Sequence, residues 1–136
     1  MNIMHFLTPK SSVAYLTDNS TVRNGYEKMS FHAYRAIPVI SPSGEYVGTV
    51  TEGDILRDFL ARGGLEPERV CIRDIIRPNW NPPVNVNATV EQLFSRVTEQ
   101  NFVPVTDDRG IFIGIVTRKA VIRFLTDSYF EKEKTE

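Results

Sequence analysis

The residues best placed to do chemistry stand where a short apolar run gives way to a helix start. Gly48-Thr49-Val50-Thr51-Glu52-Gly53-Asp54 carries the chain from a β-type run into a helix beginning at Thr51. The first N–H groups of a helix have no internal partner, and with the helix dipole they favour an anion such as a phosphate. Thr51 adds a hydroxyl there. Asp54, in the first turn, is spaced to accept the two hydroxyls of a ribose, as acidic residues do in other nucleotide-binding folds. Gly48 has no side chain, so another group can approach the backbone at that point. Thr51-x-x-Asp54 also has the spacing of a capping box, although glutamate or glutamine is the usual partner. The pair therefore serves the helix, a ligand, or both.

The pattern recurs with a change. Gly114-Ile115-Val116-Thr117-Arg118-Lys119-Ala120 has alanine where the first copy has aspartate, and two cations in the first helical turn. Cations there oppose the helix dipole, at about 0.3–1 kcal/mol each when exposed. A bound anion turns that cost into attraction, and Arg118 can hold one through two N–H groups; otherwise both chains bend into solvent. Tyr34-Arg35-Ala36 combines a ring able to stack on a base with a cation able to reach a phosphate. It reads equally as a half-buried tyrosine beside a surface arginine. The matching stretch, Gln100-Asn101-Phe102, is uncharged. Trp80, between Pro78 and Pro82-Pro83, is a stacking platform or a lid on the core. His5 and His32 have no nucleophile or carboxylate pair near them in sequence, and Asp107-Asp108 reads as a turn rather than a metal site.

The elements that position these residues come in two copies. One offset of 66 residues relates Pro38 to Pro104, Gly44 to Gly110, Gly48 to Gly114 and Thr51 to Thr117, and an offset of 68 relates Thr21-Val22 to Thr89-Val90. Such self-similarity marks a repeat. Each copy opens with a short apolar strand, Val13 to Leu16 or Pro83 to Val86. Asn19 and Ser20, or Asn87, then start a helix. Its apolar stripe is Val22, Tyr26, Met29, Ala33 in repeat 1 and Val90, Leu93, Phe94, Val97 in repeat 2, with Gly25 interrupting the first. Two β-type runs follow, joined by Ser41-Pro42-Ser43-Gly44 or Asp107-Asp108-Arg109-Gly110. A second helix starts at Thr51 or Thr117, and Gly63-Gly64 stops the first of these. The expected division is repeat 1 over 1–64, a linker over 65–74, repeat 2 over 75–130 and a charged, fraying tail over 131–136. The fold class is α+β: two βαββα units, each too small to stand alone, packed about a pseudo-two-fold axis that creates two equivalent clefts.

Composition narrows the function. The 136 residues are 41% hydrophobic and 24% charged, with a formal net charge of −1, which suits a packed core and disfavours a nucleic-acid binder. The single cysteine, Cys71, lies between Val70 and Ile72 and reads as a buried structural thiol. It has neither a disulfide partner nor a Cys/His cluster for zinc. No signal peptide or apolar membrane span is evident, so the cytoplasm is the expected compartment. No paired carboxylates, nucleophile–base pair or metal cluster supports catalysis. Apolar positions such as Val121, Phe124 and Leu125 predict a face covered in a homodimer.

Two βαββα copies, an apolar-Pro-Val strand and Gly-x-x-Thr-x-x-Asp at the second helix resemble a CBS-domain pair, or Bateman module, over about Phe6 to Leu125. The match is full in repeat 1 and lacks the aspartate in repeat 2. The resemblance implies a non-catalytic regulatory module that binds an adenine nucleotide (AMP, ADP, ATP, S-adenosylmethionine or cyclic di-AMP), forms a homodimer and signals to an unidentified protein partner. It implies no metal and no cofactor beyond that ligand. One cleft, A, would combine Val13, Ala14, Tyr15, Tyr34, Arg35 and Ala36 with Thr117, Arg118 and Lys119. The other, B, would combine Asn81, Pro82, Val84 and Phe102 with Thr51 and Asp54. Cleft A is further similar to small CBS proteins that bind cyclic di-AMP, whose two phosphodiesters suit two cations and whose riboses lack the free diol of AMP. Cleft B suits a mononucleotide or stays empty. The alternative is a dimerisation scaffold independent of nucleotide, which predicts clefts collapsed or filled by side chains.

Overall fold

The computed structural model describes residues 1–64 and 66–134. The order of elements is β1 (Thr8–Pro9), β2 (Leu16–Thr17), α1 (Val22–His32), β3 (Ala36–Ile40), β4 (Tyr46–Thr51), α2 (Glu52–Ala61), β5 (Val84–Asn85), α3 (Val90–Val97), β6 (Phe102–Thr106), β7 (Phe112–Thr117) and α4 (Arg118–Lys134). Repeat 1 forms a three-stranded sheet ordered β2-β3-β4, and repeat 2 a four-stranded sheet ordered β1-β7-β6-β5. In each repeat the first strand is parallel to the second, and the second antiparallel to the third. Both ladders slip register at the same place, between Val39 and Ile40 and between Val105 and Thr106.

The pseudo-two-fold axis is visible in the hydrogen bonds. Tyr46 N donates to the Gly110 carbonyl at 3.0 Å, and Phe112 N donates to the Gly44 carbonyl at 2.9 Å. These two bonds exchange under the offset of 66 residues. They join the turn that precedes β4 to the turn that precedes β7. Gly44 and Gly110 adopt φ of 95° and 83°, a region that glycine enters without steric cost. Around the axis Val13, Ile40 and Phe112 are buried together with Tyr15, Tyr46 and Ile115 packed on them.

Each repeat is completed by the segment that precedes the other. Ile3 and Phe6 are buried in the repeat 2 core with Val84, Leu93, Val103 and Val116, and β1 pairs with β7. Val70 and Ile72 are buried in the repeat 1 core with Leu16, Val22, Met29 and Val50. Val22 N and Ile72 N donate to the Val70 and Ser20 carbonyls, both at 2.8 Å. The segment expected as a linker thus contributes Val70 and Ile72 to the core, where they pack over α1. Gly25 marks that contact: a Cβ there would stand 2.8 Å from Ile72 Cδ1.

Several local expectations are corrected. The first strands are shorter than Val13–Leu16 and Pro83–Val86, since only two residues of each reach a neighbour. The helix caps are Thr21 and Thr89, not Asn19, Ser20 or Asn87, because their hydroxyls accept from Asn24 N and Gln92 N, both at 3.1 Å. Tyr26 is exposed and Ala33 is the left-handed cap of α1, so the buried stripe reduces to Val22, Gly25 and Met29. Val121 belongs to the core and Phe124 packs on it. The apolar residues that α4 exposes are Ile122, Leu125, Tyr129 and Phe130. Residues 131–134 continue α4 and are exposed; Tyr129 donates to Glu133 Oε1 at 3.0 Å, and lysines in the last turn suit the dipole. Residues 135–136 of the expected tail and Leu65 of the expected linker lie outside the described residues. Cys71 is half-buried.

Candidate functional site

In repeat 1, β4 delivers the chain to α2 and Thr51 caps it. Thr51 Oγ1 accepts from Asp54 N at 3.1 Å, and Asp54 Oδ2 accepts from Thr51 N at 2.8 Å, a complete capping box. Asp54 is only 4% exposed. A buried carboxylate needs partners, and two arginines supply them: Arg57 Nη2 at 2.6 Å and Arg77 Nε at 2.7 Å, both from Oδ1. Trp80 is exposed rather than a lid on the core, and the Arg77 guanidinium lies over its ring, 4.2 Å from the centroid.

Beside this motif a polar network crosses cleft B. Gln100 Nε2 donates to Asn81 Oδ1 at 3.0 Å, and Asn81 Nδ2 donates to Thr49 Oγ1 at 3.1 Å. The Thr49 and Tyr46 hydroxyls are 2.7 Å apart, and Tyr46 donates to the Asn81 carbonyl at 2.9 Å. Burial pushes the Tyr46 hydroxyl up to about 12. Of the residues assigned to this cleft, the structure brings Asn81, Thr51 and Asp54 together through Thr49 and Arg77. Val84 is in the repeat 2 core, Pro82 is exposed with its carbonyl accepting from Gln100, and Phe102 is buried at the start of β6. Gly48 admits not a ligand but the chain itself: a Cβ there would stand 2.6 Å from Ile76 Cγ2.

Cleft A has the opposite character. Under the repeat offsets, Val13 stands for Asn81, Phe112 for Tyr46, Ile115 for Thr49 and Tyr34 for Gln100, so mostly apolar side chains replace the polar network. Tyr15 is half-buried there, with Lys10 Nζ and Lys28 Nζ 5.1 and 5.4 Å from its ring centroid. Lys28 also donates to the Tyr15 carbonyl at 2.6 Å. Sequence reasoning missed both lysines, as it missed Arg77, because none lies in a motif. Ala14 and Tyr34 pack on the edge of the repeat 1 core, and Arg35 is exposed. Thr117 caps α4 by accepting from Ala120 N at 3.1 Å. Lys119 is exposed.

Arg118 corrects the dipole argument. Its Nε donates to the Val97 carbonyl at 2.7 Å. It thereby sits at the C-terminal end of α3, where a cation is favourable without any anion. The side chain borders a depression of 260 Å³ that also touches Ala36, Trp80, Asn81, Gln100 and Phe102. Residues of both expected clefts, from both repeats, thus meet at one place near the axis. A larger apolar groove of 600 Å³ runs between α1 and α2 past Tyr26, Met29, Tyr34, Leu56 and Phe59.

Asp107 serves its turn, accepting from Arg109 N and Ile111 N at 2.9 and 3.0 Å. His5 packs edge-on against Phe6 and Phe124, and His32 is exposed beside Tyr34. Among the described residues no His/Cys/Asp/Glu group is gathered to hold a metal, and no helix is long and apolar enough to cross a membrane.

Two interlocked βαββα units with a Thr-capped helix at each cleft define a tandem CBS pair, and the CBS domain family matches residues 5–61 and 72–127. The chain belongs to that family. It is similar to cyclic di-AMP receptor B of Bacillus subtilis, 24% identical over 88% of this chain and 83% of that protein. In structure it resembles CbpB in complex with c-di-AMP, with a TM-score of 0.90 at 23% identity, covering 100% of this chain and 91% of that one. It also resembles CBSX2 in complex with AMP, with a TM-score of 0.76 at 24% identity, covering 94% and 98%.

Proposed function

We propose that this CBS pair is a non-catalytic regulatory receptor in the cytoplasm that binds cyclic di-AMP in cleft A and passes its state to a protein partner. The observation that carries this reading is the asymmetry of the two clefts: the residues assigned to cleft A are largely apolar and accompanied by cations, whereas those of cleft B are tied into a polar network. Tyr15 and Ile115, half-buried over the core residues Val13 and Phe112, offer a surface for a base. Lys10 and Lys28 flank Tyr15, and Arg118 and Lys119 begin α4 where Ala120 replaces the ribose aspartate. A diphosphodiester without a free diol needs the cations and not the aspartate. The similarity to a cyclic di-AMP receptor supports the same ligand. The depression of 260 Å³ beside Ala36 and Arg118 is below the ~300–1,000 Å³ of ordinary ligand pockets. Entry of the ligand therefore requires Arg118 to leave the Val97 carbonyl, and that release is a means of passing the signal into α3. Exposed Tyr26, Leu56, Phe59 and Leu60 on α1 and α2, with Ile122 and Leu125 on α4, supply an apolar face for a homodimer.

Titration calorimetry with cyclic di-AMP tests the reading. A charged hydrogen bond contributes about 1.5–3 kcal/mol, and Lys119 is exposed, so Lys119→Ala should weaken binding about ten-fold with the ligand recovered intact. Absence of binding to the parent, or conversion of the ligand that follows the protein through purification, overturns it.

A further inference from the structure

We infer that Arg77 is a specificity-determining residue of cleft B: it occupies the buried Asp54 carboxylate, so that this cleft refuses the ribose diol of a mononucleotide until Arg77 is displaced. The inference rests on the reading of the two crevices as nucleotide clefts.

Three N–H partners already crowd the Asp54 carboxylate. Oδ2 takes the Thr51 N–H, and Oδ1 is shared by Arg57 and Arg77. The two arginines differ. Arg57 is one turn further along α2 and makes a hydrogen bond with Asp54. Arg77 comes from the segment leading into repeat 2, the one that supplies Asn81 to the same cleft. Its Nε stands 2.7 Å from Oδ1 without an aligned hydrogen bond. Arg77 is therefore held mainly by charge and by the Trp80 face. A misaligned N–H gains less than an aligned one, which makes this contact the more releasable of the two. Asn79 and Asn81 adopt positive φ of 59° and 55° on either side of Trp80, a conformation asparagine enters more readily than most residues. They hold Trp80 over the guanidinium.

The other cleft lacks both members of the pair. Leu7 lies against Gly114 as Ile76 lies against Gly48, which places Thr8 where Arg77 would be. Ala120 stands where Asp54 would be. The cation appears only where the carboxylate does, and with it the hydrogen-bonded network of Asn81, Gln100, Thr49 and Tyr46.

AMP is the probe, and the chain's single tryptophan, Trp80, is the reporter. Arg77→Leu keeps an apolar chain against Trp80 and frees one side of Oδ1. It should raise AMP affinity by about ten-fold, equal to about 1.4 kcal/mol, and Asp54→Asn added to it should cancel the gain. Cyclic di-AMP affinity should be the same in all these proteins. A folded Arg77→Leu protein with AMP affinity no higher than the parent overturns the inference. In the parent, tight AMP binding with unchanged Trp80 emission overturns it as well, whatever the variant does. Failure of the parent to bind cyclic di-AMP would instead count against the proposed function and leaves the AMP comparison to judge Arg77.

Discussion

Replacing Gly114 by alanine should damage the fold far more than replacing its repeat-mate Gly48. A Cβ at Gly114 clashes with the Thr8 carbonyl oxygen and stands 2.9 Å from Leu7 Cδ1 and 3.1 Å from Pro9 Cα. Two of these three atoms are backbone, in the strand β1 that pairs with β7, so no rotamer change relieves the contact and β1 must move. Ile3 and Phe6, just upstream, are 1% and 6% exposed. Full burial of such side chains contributes about 1.5–3 kcal/mol each. Partial release of both sets the cost of Gly114→Ala at roughly 3 kcal/mol by that measure. At Gly48 the close atom is a side-chain methyl, Ile76 Cγ2 at 2.6 Å, with the next contacts at 3.9 Å. Ile76 can turn, and overpacking of that kind costs roughly 1 kcal/mol. Urea unfolding at fixed pH, read as the midpoint at constant slope, compares the two. The reasoning is refuted if Gly114→Ala falls within about 1 kcal/mol of the parent, or if both alanines cost the same by that steric argument.

Two further outcomes follow from local geometry. Thr89→Ala removes one half of the capping box that Thr89 makes with Gln92 and should destabilise the protein by about 1 kcal/mol, whereas Asn87→Ala should be near neutral; thermal melts of the pair decide it. Tyr46 is held protonated to about 12 against 10.0 in the unfolded chain, so its contribution is whole below pH 10 and fades as pH rises towards 12. The loss is on the order of 3 kcal/mol at most, and alkaline unfolding followed beside tyrosinate absorbance should place the tyrosinate signal of Tyr46 within the unfolding transition rather than before it.

The sequence made the repeat legible because its anchors are residues whose backbone roles cannot be swapped. Pro38 and Pro104, Gly44 and Gly110, and Gly48 and Gly114 each mark a place where the chain turns or another segment comes close. The helix starts were misread by one or two residues, since Asn19, Ser20 and Thr21 all have oxygens able to cap and only the entry angle selects Thr21. Arg118 was misread because the carbonyl that satisfies it, on Val97, is twenty-one residues away in sequence. A separation of twenty-three residues hid Arg77 from Asp54. Motif reading finds residues adjacent along the chain, whereas the two clefts are built from segments that cross from one repeat to the other. The choice of which motif faces which ligand therefore rested on the family resemblance and not on spacing.

That crossing has a consequence for how such a protein can be cut or rebuilt. Severed at the Gly63-Gly64 turn, the second piece would keep repeat 2 but lose Ile3 and Phe6 from its interior, and the first would keep repeat 1 but lose Val70 and Ile72. Each fragment would present a vacancy shaped for a short peptide from its sibling, so the halves are complementary reagents rather than independent modules. Mixed together, they should find each other through those vacancies. The duplication left two domains that cannot be inherited, expressed or shuffled one at a time.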